Sequence, residues 1–163
     1  MSPDPDAVDV IAMVGLFGPV LKGYDDLEVR ILERDPDSVS LPEGIPAGVD
    51  ATLHPPAAAP EVVPGADVLY ITGSTLLFGG IERYLDAASP DTVVVLVGAT
   101  ASFYPEPAFD AGVSVVAGAV VTDRTRVRDV IAGPNCQDEL HGNGLEKVYA
   151  APDDADLTPL ALE

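Results

Sequence analysis

Thr72-Gly73-Ser74-Thr75 follows the apolar run Val68 to Ile71 without a pause, and that placement suits two kinds of chemistry. Hydroxyls and backbone N–H groups beside a glycine can cradle an anion at a strand end. A serine in such a turn can also be a nucleophile, but the strained elbow that exposes it needs G-x-S-x-G. Here Gly73 directly precedes Ser74 and no glycine stands two positions after it. His54 and His141 are the only imidazoles, so serine hydrolysis has no evident base. A bland alternative stands beside the anion cradle, in which Ser74 or Thr75 only fixes the turn.

Two further turns share this character. Gly15-Leu16-Phe17-Gly18-Pro19 ends the first apolar run, and the acids Glu33 and Asp35 close the second, near the roughly 20-residue separation of a ribose-binding acid. The central glycine of G-x-G-x-x-G is missing, which disfavours a nicotinamide dinucleotide and leaves an adenosyl or other nucleoside-like ligand, or a plain turn. Gly98-Ala99-Thr100 repeats the hydroxyl-bearing theme after the fourth strand. In "CQDELH", Cys136 and His141 are the candidate metal ligands, although a closed zinc site wants several sulfurs or imidazoles. The same segment reads equally as a polar loop. No residue pattern demonstrates catalysis.

Elements that place these turns on one edge are legible from the apolar runs. Val10 to Gly15, "ADVLYIT" and "TVVVLVG" read as strands buried on both faces. "EVRILERD" alternates until Asp35-Pro36, "FDAGVSVVAGAVV" supplies a fifth strand, and "LEKVYAA" the last. Helices are expected over "PVLKGYDDL", near Ala57 to Val63, over "IERYLDAAS" from Gly80, and over "TDRTRVRDVIAG" with Thr122 or Asp123 as N-cap. Ser74 to Phe78 is expected as loop, because glycines at 79 and 80 disfavour a helix there. Residues 36–65 hold seven prolines and otherwise show no period. This order predicts an α/β three-layer sandwich, a Rossmann-like doubly wound and mostly parallel sheet. Gly15, Gly73, Gly98 and Gly118 then follow strand ends on one edge, where such sheets bind ligands. The expected organisation is an acidic segment 1–9, the Rossmann-like domain 10–150 and an acidic tail 151–163, with disorder confined to the ends.

Composition narrows the setting. Eight Lys and Arg against 27 Asp and Glu give a net charge of −19. Self-repulsion at that density destabilises a compact chain in dilute salt, whereas the Debye length falls to about 3 Å near 1 M. A halophilic, cytoplasmic protein is expected, with no nucleic-acid partner because phosphate backbones demand Lys and Arg. One cysteine excludes an internal disulfide, the amino terminus lacks a signal peptide, and no run reaches the roughly 18 apolar residues of a membrane span.

Taken in order, "VGLFGPVLK", "LERDP", "ADVLYITGSTLLFGGIERYLD", "VVLVGATASFYPEPAFDAGVSVVAGAVVTD" and "GLEKVYA" resemble the carboxy-terminal Rossmann-like domain of the putative heavy-metal chelation family, a domain of unknown function. The resemblance covers about residues 10 to 150. It implies a ligand pocket at the glycine turns, with Gly15, Phe17, Gly18, Pro19, Thr72 to Thr75 and Gly98 to Thr100 as pocket positions. It also implies an enolase-like amino-terminal domain sharing the site. About nine residues precede the first strand here, so a separate polypeptide or another subunit is expected to supply that wall. The reading that results is a small-molecule-binding domain for an anionic or nucleoside-like ligand or a metal chelate. Two alternatives are a non-enzymatic interaction module completed by a partner domain and an adenosyl-cofactor-dependent transferase.

Overall fold

Apolar runs too short for helices and too continuous for a half-exposed sheet require cover on both faces. The computed structural model, which describes residues 2–3, 7–22, 26–133, 140 and 142–161, has that arrangement. Strands β2 (Val10–Val14), β3 (Asp26–Leu32), β4 (Gly48–His54), β5 (Val68–Thr72), β6 (Val93–Val97), β7 (Val115–Val121) and β8 (Leu145–Ala150) form one sheet in the order β4-β3-β2-β5-β6-β7-β8. Every pair is parallel except β7 with β8. Strand order reverses between β2 and β5, the position at which a doubly wound sheet opens a crevice at its carboxyl edge.

Alternation along each strand divides the core. Ala12, Val14, Leu69, Ile71 and Leu96 face a layer built from α2 (Ala59–Val62) and α4 (Ile81–Ala87), where Val62, Val63 and Tyr84 are buried and Ile81 and Leu85 pack beside them. Ile11, Met13, Val29, Ile31, Val68 and Val95 face the other way. There the cover is thinner: Leu21 of α1 (Gly18–Leu21), Leu41 and Ile45 from the β3–β4 connection, and Leu157 and Leu160 near the carboxyl end. Asp67 ties the strand starts together, its Oδ2 accepting the N–H groups of Asp9 and Val10 at 2.9 Å each.

Helix α6 (Arg124–Ile131) follows its sequence signals, with the Asp123 carboxylate accepting from Thr125 and Arg126 N–H at 3.0 Å. Other expectations need correction. Residues 36–65 contain strand β4, whose Val49, Ala51 and Leu53 alternate toward the core. Strand β3 ends at Leu32 rather than Asp35, and "FDAG" belongs to helix α5 (Glu106–Asp110) and its exit, ahead of β7. Thr75–Phe78 is a helical turn, α3, with its amino end at Ser74 and its exit through Gly79 and Gly80, both at positive φ. Gly118 lies within β7, where a Cβ would sit 3.1 Å from Ala101 O and Ser102 Cα, so its role is close packing of the β6–α5 loop. Near the ends, β1 (Ser2–Pro3) pairs antiparallel with β9 (Leu160–Ala161), and the Leu160 side chain is buried.

Candidate ligand-binding site

The crevice at the strand reversal is a cleft of about 800 Å³. Its floor is the end of β2, where Gly15 adopts φ +88° and donates its N–H to Leu32 O at 3.0 Å. A side chain at Gly15 would approach Thr72 Cγ2 to 3.3 Å, so the turn sits directly against the end of β5. The next N–H, of Leu16, donates to Glu33 Oε1 at 2.8 Å. Glu33 therefore fixes the first turn and lines the cleft as well.

Along β5 and α3 the hydroxyls divide their duties. Thr72 Oγ1 and Ser74 Oγ lie 3.1 Å apart at the cleft, whereas the Thr75 hydroxyl is buried and donates to Thr72 O at 2.8 Å. The Gly73 N–H donates to Val97 O at 2.7 Å and is consumed by the sheet. A Cβ on Gly73 would fall 2.6 Å from Thr100 Oγ1 and 2.7 Å from Ala101 N. Gly73 is thus the wedge point at which the loops after β5 and β6 meet.

Two cations complete the cleft. Arg34 follows Glu33, and its guanidinium carbon stands 4.8 Å from the centre of the Phe78 ring, a cation–π distance. Arg83 enters from α4 beside Tyr84. Among the described residues, the ion pairs join Arg30 to Glu28 and Arg126 to Asp123, so neither cleft arginine has a carboxylate within pairing distance. Burial, chiefly, pushes the Tyr84 phenol above its ordinary value; Arg83 opposes that, Glu33 adds to it and Arg34 opposes it. The phenol is a neutral hydrogen-bond donor through the physiological range.

The structure distributes the sequence candidates over two places. Gly15, Glu33, Asp35, Thr72, Ser74 and Thr75 line the cleft. Phe17, Pro19, Gly98 and Ala99 line a smaller hollow, about 330 Å³, on the opposite face. Gly18, Gly73 and Thr100 line neither, and Cys136 and His141 lie outside the described residues. Sequence reasoning missed Arg34, Ser38, Phe78, Arg83 and Tyr84. Arg34 was findable, since it stands between the two acids already selected, in a chain poor in cations.

The comparisons agree with this architecture. The family model of DUF364, described as putative heavy-metal chelation, matches residues 5–150. The chain belongs to the DUF364 family. An uncharacterised protein of Methanocaldococcus jannaschii is 30% identical over 121 residues, which is 72% of this chain and 43% of that protein. A DUF364 protein of unknown function from Pyrococcus horikoshii superposes with a TM-score of 0.69 at 20% identity, over 90% of this chain and 56% of that one. Another, from Desulfitobacterium hafniense DCB-2, gives 0.63 at 23% identity, over 90% and 54%. This DUF364 chain spans about half the length of these relatives.

The family description raises a heavy-metal ion, which calls for sulfur or imidazole donors. Among the described residues, no three His, Cys, Asp or Glu side chains converge as a metal centre would. The cleft's described carboxylates are Glu33 and Asp35, and Glu33 already serves Leu16. These residues do not fit a bare heavy-metal ion. Among the described residues, no helix is long and apolar enough to cross a membrane.

Proposed function

We propose that this DUF364 domain binds a small anionic, nucleoside-like molecule in the cleft at the carboxyl ends of β2, β3 and β5. The observation that carries the reading is the placement of Arg34 and Arg83, two of eight basic residues in a chain of net charge −19, at one cleft without carboxylate partners among the described residues. Opposite-charge recognition accounts for cations kept in so acidic a surface. Thr72 and Ser74 offer hydroxyls, and the Asp35 and Glu33 carboxylates suit ribose hydroxyls. A metal enters this reading only as the cargo of an anionic organic chelator, held through the chelator's own charges.

Equilibrium dialysis at high salt against adenine nucleotides, S-adenosylmethionine, free adenosine and citrate tests it. One or more adenine nucleotides should bind saturably and more tightly than free adenosine or citrate, and Arg34→Ala with Arg83→Ala should weaken that binding by at least about tenfold, from two lost charge-assisted contacts. No binding by any member, or equal binding by the double variant, overturns it.

A second reading rests on Leu77 and Phe78, 70% and 69% exposed on the cleft's lip. In it, a separate polypeptide docks there and completes the site. Size measurements at high salt with the relatives' additional half supplied as a separate chain test it; no co-elution would exclude it.

A further inference from the structure

We propose that the smaller hollow on the opposite face of the sheet is a second binding site, for a compact aromatic or alicyclic carboxylate. It is bounded by the turn after β2, the ends of β5 and β6, and the β7–β8 ladder. Its volume, about 330 Å³, is at the lower end of the range for small-molecule sites. The register explains why space exists: Ala117 faces Tyr149 and Ala119 faces Lys147 across the ladder, so two small side chains stand opposite two long ones. Gly98, at φ +121°, and Gly118 add no side chains to the space.

The wall chemistry identifies the occupant. Phe17 and Tyr70 present tilted rings with centroids 6.1 Å apart, an apolar surface for a ring of similar size. Lys147 is one of two lysines in the chain, and among the described residues it has no ion-pair partner. An apolar body against the rings with a carboxylate toward the ammonium satisfies both features. A neutral hydrocarbon would leave the cation unused, and a phosphate would desolvate against aromatic walls. This inference does not depend on the ligand of the larger cleft.

The test is a chemical-shift titration at high salt with 2-naphthoate and, separately, 2-naphthamide, which keeps the ring system and lacks the charge. Saturable shifts should cluster on residues 97–99 and 117–119, with the acid bound about three- to fivefold more tightly than the amide, the scale of a solvent-accessible ion pair. Lys147→Ala, or Lys147→Gln if the alanine variant does not fold, should remove that preference, and Arg34→Ala should leave it unchanged. Shifts confined to the larger cleft, no saturable shift, or a preference that survives Lys147→Gln overturns the proposal.

Discussion

The two hollows open at the same edge of one sheet yet differ in nearly every chemical respect. The cleft over β2 and β3 is lined by hydroxyls, two arginines and two carboxylates, while the hollow over β6 and β7 is walled by Phe17, Tyr70 and small residues, with Lys147 at its side. Strand alternation produces the division, because successive residues at a strand end face opposite layers. Val14 and Leu32 turn to the polar side, and Tyr70 and Val97 to the apolar side, where Tyr70 meets Phe17. A single edge thereby supports two environments without any change in backbone plan.

Gly73 belongs to neither hollow and should matter to both. In Gly73→Val the new Cβ meets backbone, Ala101 N at 2.7 Å, which a side-chain rotation cannot relieve. A loss of about 1–3 kcal/mol is expected in urea denaturation, from overpacking, together with weakened binding on both faces. Retention of either binding activity at full strength would show that the wedge does not couple them.

Glu33→Ala separates the faces. It removes the acceptor of the half-buried Leu16 N–H and should cost about 1–2 kcal/mol in the same measurement, with Glu33→Gln costing less because its amide oxygen can still accept. Shifts of 2-naphthoate in the opposite hollow should be unaltered. Salt acts on the whole chain instead. Thermal unfolding over a KCl series should move upward by a few degrees, equivalent to about 1 kcal/mol for a domain of this size, while ligand binding at Arg34 and Arg83 weakens. A midpoint that falls with KCl would remove the link between charge and stability.

The smallest effect concerns Tyr84, which faces the polar cleft. Its folded-state value is raised, so the unfolded chain gives up the phenolic proton first as pH rises. The stabilisation is complete below the ordinary tyrosine value and is lost as pH climbs through the folded one. Urea midpoints between neutral pH and about pH 11 should fall less steeply in Tyr84→Phe than in the wild type. Parallel curves would mean that burial of this phenol carries no linkage.

The central strands were legible because burial on both faces leaves uninterrupted apolar runs such as "VVVLV" of β6, and the glycine turns mark where they stop. Strand β4 was hidden by its place at the sheet edge: Val49, Ala51 and Leu53 are spaced by Asp50 and Thr52 and flanked by prolines, so the short alternation carries little weight. Helix α3 was hidden by the glycines after it, which terminate a single turn here rather than prevent it. For the candidate site, the turns were legible as places but not as faces. Nothing in "GLFGP" tells that Gly15 opens on one side of the sheet and Phe17 on the other. Arg34 and Arg83 come from different elements, and charged residues in isolation read as surface.

The small ladder of β1 and β9 places both strands' outward ends side by side, Ser2 against Ala161. Tension applied across the chain ends would load these hydrogen bonds one after another, as in opening a zip, rather than all at once in shear. The ladder would part at low force, and the parallel sheet would then bear the load through Asp67, whose carboxylate holds Asp9 and Val10 at the start of β2.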